Sequence, residues 1–187
     1  MRIEKYFMKV ILIGIQGSGK STQGNLLCEK LSIPYLSTGH IIREMAKEKT
    51  KMGRYIKETT YSGLLIPDDI MIPIAADYLS RQEYQNGFIL DGFPRTVEQA
   101  EKFPTLIDKV IYLNVSDKEA LWRLSGQNGS RERHDDTLSA IRKRIELFHK
   151  LTEPVLDFYR NKNLLVEIDG EKSIEEIHKE ILEKVKI

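Results

Sequence analysis

Residues 14–21 read Gly-Ile-Gln-Gly-Ser-Gly-Lys-Ser, the full G-x-x-x-x-G-K-[ST] spacing, directly after the apolar run 10–13 and before the helix-like stretch 22–31. Strand, glycine loop and helix in that order restrict the fold more than any other feature of the chain. Glycines admit backbone conformations that aim successive N–H groups inward, and the helix dipole favours negative charge at that end. The loop therefore predicts a triphosphate site in which Lys20 reaches the β- and γ-phosphates and Ser21 faces Mg²⁺. A plain glycine turn between strand and helix would have no use for Lys-Ser at that offset. Alone, the pattern specifies a nucleotide and not a reaction.

Composition narrows the class. A chain of 187 residues suits one domain with a substantial core. Its 29 Lys and Arg nearly balance 28 Asp and Glu, giving a net charge of +1, so no broad nucleic-acid footprint is expected. Cys28 is the single cysteine, which excludes an intramolecular disulfide and a cysteine-built zinc site. Its neighbours Leu26, Leu27 and Leu31 predict a buried, inert thiol. No apolar run approaches the ~20 residues of a membrane span. Residues 1–9 lack a signal-peptide core, and Met8 offers a second start. The expectation is a cytoplasmic chain with neither membrane nor nucleic acid as partner.

Apolar runs of strand length alternate with helical stretches, without internal repeats or low-complexity linkers. Strands are predicted at 9–14, 34–36, 88–90, 110–115 and 164–168, and helices at 20–31, 39–49, 52–60, 69–82, 97–102, 118–124, 135–160 and 174–185. Short apolar runs separated by helices point to buried parallel strands joined by right-handed crossovers. Ser173 with Glu176 forms a capping box for the last helix. Pro73 should bend the helix that contains it, and Pro154 should divide or kink the 135–160 stretch. The expected class is α/β, a P-loop-type doubly wound parallel sheet flanked by helices, with ligands at the carboxyl ends of the strands.

Residues 87–96 read Gly-Phe-Ile-Leu-Asp-Gly-Phe-Pro-Arg-Thr and end a strand on an acid, a glycine and an arginine. Asp91 sits where a carboxylate holds Mg²⁺ directly or through water. Gly92 lets a ligand approach the backbone, and Arg95 offers a planar fork to a phosphate. The plainer alternatives are a helix cap for Asp91 and a surface ion pair for Arg95.

Together, residues 14–23, the run Leu36-Ser-Thr-Gly-His40-Ile-Ile-Arg43, residues 90–100 and Thr152-Glu-Pro-Val155 resemble the adenylate kinase family of nucleoside monophosphate kinases. The resemblance runs from about residue 9 to residue 185, and Asp91-Gly-Phe-Pro-Arg-Thr is its most specific piece. It implies a five-stranded parallel core (8–36, 68–126 and 136–187) carrying an NMP-binding insert at about 37–67 and a short lid at about 127–135. It also implies the reaction ATP + AMP ⇌ 2 ADP with Mg²⁺, by a monomer. A lid this short resembles the branch without a zinc knuckle, so no structural zinc is expected.

By the same resemblance, the donor's phosphates lie on Gly17, Ser18, Gly19, Lys20, Ser21 and Thr22, with Arg123 over the donor adenine and Lys172 at its edge. Thr38 and Arg43 match residues that meet the acceptor's base and α-phosphate. Leu64, Leu65 and Ile66 match backbone contacts to the acceptor, and Gly92, Arg95 and Gln99 match the rest, Gln99 reading the base edge. Arg133 and Arg144 match arginines that bind the transferred phosphate and serve both catalysis and acceptor binding. Asp135 and Asp136 match aspartates that pair across the lid, while Ser21 and Asp91 match the Mg²⁺ side. Ordinary roles compete at three places: a helix cap for Thr38, and surface charge for Lys172 and for the Arg133–Arg144 region, where Arg142 and Lys143 are assigned to a solvated face.

Three positions depart from the family pattern. His40 stands where an aspartate usually helps hold water around Mg²⁺. Gln127 stands where a lid arginine usually meets the donor's γ-phosphate, with Arg131 a candidate substitute. Gln16 replaces a common loop proline and is expected to matter least. These departures keep open a nucleotide-binding regulatory protein of little activity. Acceptor choice is a separate matter: Thr38 and the Arg95-Thr-Val-Glu-Gln99 spacing resemble AMP-specific members, with a UMP/CMP or other nucleoside monophosphate kinase as the alternative. A P-loop hydrolase has less behind it, because no water-positioning residue is evident.

Overall fold

The five apolar runs all form strands: β1 (Lys9–Ile13), β2 (Tyr35–Ser37), β3 (Phe88–Asp91), β4 (Lys109–Asn114) and β5 (Leu165–Asp169). The computed structural model describes residues 7–125 and 137–186. Among these, the helices are α1 (Lys20–Leu31), α2 (Thr38–Met45), α3 (Lys51–Tyr61), α4 (Asp68–Ser80), α5 (Val97–Glu101), α6 (Asp117–Leu124), α7 (Leu138–Leu147), α8 (Glu153–Asn161) and α9 (Ile174–Val185). Every strand pair is parallel, and the order across the sheet is β2-β3-β1-β4-β5.

The two-residue period of the strands divides the core into two layers. Val10, Leu12, Ile89, Ile111 and Leu113 pack with Leu27 and Leu31 of α1 and Ile177 and Ile181 of α9. Ile11, Ile13, Leu90, Val110 and Tyr112 face the other way, against residues of α2–α6 and α8. Ile11, Ile89, Leu90, Val110, Ile111 and Leu113 are fully buried, each contributing about 1.5–3 kcal/mol by transfer from water. Burial on both faces explains why the strands read as continuous apolar runs rather than alternating ones.

Chain direction then positions the ligand cleft. The connection through α1 leaves β1 toward β2, and every later crossover returns the other way. Right-handed connections put α1 on one face and the helices of the later crossovers on the other, while α9, after the last strand, packs back on the α1 face. The resulting crevice opens at the carboxyl ends of β1 and β3, which is where both sequence motifs lie.

Helix starts follow local chemistry. Ser37, Thr50, Thr96 and Thr137 accept N–H bonds at the starts of α2, α3, α5 and α7, and Ser173 with Glu176 forms the expected reciprocal box. Helix α4 continues through Pro73. The carbonyl left without a donor is that of Asp69, in the exposed first turn, where solvent is at hand. In the 135–160 stretch the helix begins at Leu138 among the described residues, passes through a π-helical turn at Phe148–Thr152 and resumes as α8. Pro154 sits in the first turn of α8, where its missing N–H is no loss. Cys28 is half-buried rather than fully buried; burial, with Glu29 nearby, pushes its thiol up to about 11, in keeping with inertness.

Candidate active site

The loop after β1 takes its shape from two glycines in left-handed conformations, Gly17 (φ 87°) and Gly19 (φ 90°). A side chain at 17 would also lie 3.0 Å from the Ala120 carbonyl and 3.1 Å from Leu124. Ser18 is fully buried, while Ser21 and Thr22 open the exposed side of α1. Lys20 Nζ folds across the loop and donates to the carbonyls of Gly14 (2.7 Å) and Ile15 (2.8 Å).

Gln16 takes a larger part than the sequence suggests. Its Oε1 accepts from Arg144 Nη1 at 2.9 Å, and Arg144 Nη2 donates to the Thr60 carbonyl at 3.0 Å. One guanidinium from α7 thus joins the phosphate loop to the last turn of α3.

The opposite wall is built at the end of β3. Asp91 Oδ2 accepts from the Tyr35 hydroxyl at 2.8 Å, so Asp91 is not a helix cap. Thr38 is buried and donates from Oγ1 to the Asp91 carbonyl at 3.1 Å, while Ser37 caps α2, so the capping role considered for Thr38 belongs to its neighbour. Gly92 has φ 89°, and a β-carbon at this position would lie only 2.6 Å from Thr38 Oγ1. Arg95 Nε donates to the Gly92 carbonyl at 2.8 Å, and Thr152, on the π turn, donates to the Arg95 carbonyl at 2.9 Å. Arg95 is half-buried by exposed area yet enclosed by the cleft walls. Burial pushes its guanidinium below the ordinary range, the Arg144 and Arg43 cations push the same way, and Asp91 opposes them. Convergence of three guanidiniums is the electrostatic signature of an anion site.

Gln99 is buried, with Nε2 donating to Asp68 Oδ1 and Oε1 accepting from the Arg95 N–H, both at 2.7 Å. Leu64, Leu65 and Ile66 follow α3 and line the same cleft. On the loop's other side, Arg123 pairs with Glu119 (2.7 Å) and donates to the Gly170 carbonyl at 3.0 Å, with Gly17 O at 3.5 Å. Lys172 lines the cleft while its ammonium pairs with Glu180 at 2.8 Å. Arg142 is exposed and Lys143 pairs with Glu146, as a solvated face requires. His40 lies on the cleft lining. Gln127, Arg131, Arg133, Asp135 and Asp136 lie outside the described residues.

A single cleft of about 1910 Å³ brings together the loop residues, Thr38, Arg43, Asp91, Gly92, Arg95, Gln99, Arg123, Arg144 and Lys172. That is roughly twice the upper end for one small-molecule pocket, ~1,000 Å³. The sequence alone assigns no site role to Tyr35, Asp68 or Thr152, and it undervalues Gln16. Among the described residues, no group of three or more His, Cys, Asp or Glu is placed to hold a metal ion.

A parallel sheet with a phosphate loop after its central strand and an acid at the end of the adjacent strand defines a P-loop nucleotide-binding protein. Comparison with known proteins is more specific. The family profile described as "Adenylate kinase" matches residues 12–164. An adenylate kinase of Caldicellulosiruptor bescii is 37% identical over 214 positions, covering 96% of this chain and 100% of the relative. One from Leptospira biflexa is 39% identical over 184 positions (95% and 99%), and one from Methanocella arvoryzae 36% over 204 (91% and 94%). The chain belongs to the adenylate kinase family.

Proposed function

We propose that this chain catalyses reversible phosphoryl transfer between ATP and AMP to give two ADP. The observation that carries the reading is one cleft holding a triphosphate loop on one wall and the Arg43–Arg95–Arg144 cluster with Gln99 on the other. A hydrolase needs only the first wall. An acceptor phosphate is already a competent nucleophile near neutral pH, so no side chain has to act as base. What the residues supply is alignment of two nucleotides and dispersal of charge by Lys20 and the converging arginines.

Ser21 and Asp91 offer the hard oxygen ligands that Mg²⁺ prefers, and Asp91 Oδ1 has no hydrogen bond among the described residues, so these residues fit the ion. Ser21 and Asp91 would hold Mg²⁺ beside the donor, where its positive charge would help neutralise the transferring phosphate. Arg123 and Lys172 then serve the donor base, while Thr38, Leu64, Leu65, Ile66, Gly92 and Gln99 serve the acceptor, with residues 37–67 as a mobile acceptor lobe. By the family resemblance, Arg133 and Asp135 would fall in a short lid at about 127–135, with Asp136 at its hinge, and such a lid would serve to exclude water. The Leptospira relative aligns over 184 positions where the Caldicellulosiruptor match takes 214, so the latter carries residues that this chain lacks. A monomer acting on free nucleotides in the cytoplasm completes the proposal. Among the described residues, no helix is long and apolar enough to cross a membrane.

Lys20→Ala is the first test. Its ADP formation from MgATP and AMP should fall by about a hundredfold or more while the melting temperature changes little. Unchanged turnover would sink the assignment. A panel of AMP, CMP, UMP, GMP and dTMP as acceptors should show AMP strongly preferred.

A further inference from the structure

Both ends of the Gln99 amide are tied down. Nε2 donates to Asp68 Oδ1 and Oε1 accepts from the Arg95 N–H, each at 2.7 Å. Asp68 Oδ2 accepts from Thr96 Oγ1, also at 2.7 Å, so the carboxylate is itself held between the start of α4 and the start of α5. A carboxylate only accepts and a backbone N–H only donates. Turning the amide over would set its oxygen against Asp68 and its NH₂ against the Arg95 N–H. Two hydrogen bonds would become two repulsive contacts. Gln99 is only 2% exposed, so solvent cannot make up the loss. The amide is locked in one orientation, and of its two N–H donors and two lone pairs one of each is left for a ligand.

We propose that Asp68 is a specificity-positioning residue: by locking the Gln99 amide, it makes the acceptor site read a 6-amino purine and refuse a 6-oxo one. This rests on the adenylate kinase reading, which puts the acceptor base against Gln99. Adenine offers a ring-nitrogen acceptor beside an N6 donor. Hypoxanthine offers a ring N–H donor beside an O6 acceptor, in almost the same shape. An amide free to turn serves either edge, whereas a locked one serves a single edge and leaves the other facing unpaired polar atoms. With AMP as acceptor, the locked order is the one that complements the 6-amino edge. An uncharged side chain at 68 that can donate as well as accept would remove one of the two contacts that hold the amide, leaving only the Arg95 N–H against the turned form.

The test compares kcat/KM for AMP and IMP at saturating MgATP in the wild type, Asp68→Asn and Asp68→Ser, with thermal melts of each. The second variant keeps a small hydroxyl in the first turn of α4 should the first fail to fold. The wild type should prefer AMP by at least about 100-fold, and the variants should lose at least about tenfold of that ratio, partly through a rise in IMP turnover. A merely loosened fold lowers both substrates and leaves the ratio alone. A folded variant with an unchanged ratio overturns the inference while leaving the kinase reading intact. So does a wild type that uses IMP within tenfold of AMP, which needs no variant to measure. Failure of the wild type to phosphorylate either nucleotide overturns the kinase reading itself.

Discussion

Gln16 shows how a single residue can be misjudged from its motif. A glutamine in place of a loop proline reads as neutral, yet its amide oxygen holds the guanidinium that also grips the Thr60 carbonyl. Gln16→Pro should lower kcat for ADP formation by roughly five- to tenfold, the worth of about 1 kcal/mol of hydrogen bonding, without a matching drop in melting temperature. A variant as fast as the wild type would remove Gln16 from the account. Gly92 makes a stability prediction. At φ 89°, with Thr38 Oγ1 2.6 Å from any β-carbon, Gly92→Ala should cost at least about 1–3 kcal/mol in urea unfolding. Thr38, Gly92, Arg95 and Gln99 were legible because their motifs are short and local. Gln16 and Asp68 gain their meaning from partners 128 and 31 residues away, and no local pattern carries that.

At the scale of elements, the turn that joins α7 to α8 matters most. Pro154 predicts a break at its own position. The π turn begins ahead of it, and the extra residue in that turn brings Thr152 Oγ1 onto the Arg95 carbonyl. Thr152→Val, nearly equal in volume, should lose about 1 kcal/mol by leaving the part-buried Arg95 carbonyl without this donor. Next to it, His149 spans Glu153 (2.7 Å) and Asp117 (2.8 Å), joining the starts of α8 and α6. Both ring nitrogens must carry protons to donate to two carboxylates. Hydrogen bonds to Glu153 and then Asp117 raise the imidazole above its ordinary 6.5, so the tether is complete below that pH and fades as pH rises through the raised value. Wild-type stability should therefore fall from about pH 6 to about pH 8 by more than that of His149→Gln, and only slightly, because the pair is exposed. Equal slopes would contradict the tether. Strands and most helix starts were legible through apolar runs and Ser or Thr caps. The π turn was not, since nothing in residues 148–152 departs from helical spacing.

Across the whole molecule, one topological fact organises the site. A single reversal of crossover direction at β1 opens the crevice between β1 and β3, and the loop, Asp91 and the arginines all meet there. Alternation of short buried strands with helices was enough to foresee that crevice, because parallel strands and right-handed connections leave few other arrangements. It was not enough to foresee which side chains would fix one another across the cleft. The central claim is that two nucleotides react with each other in this cleft, and its most direct measurement follows ATP, AMP and ADP together in the presence of Mg²⁺. The account predicts that ADP appears only when AMP is supplied, two molecules for each ATP consumed, until the reaction reaches equilibrium. ATP loss that proceeds equally without AMP, or binding of both nucleotides with no ADP formed, would contradict it.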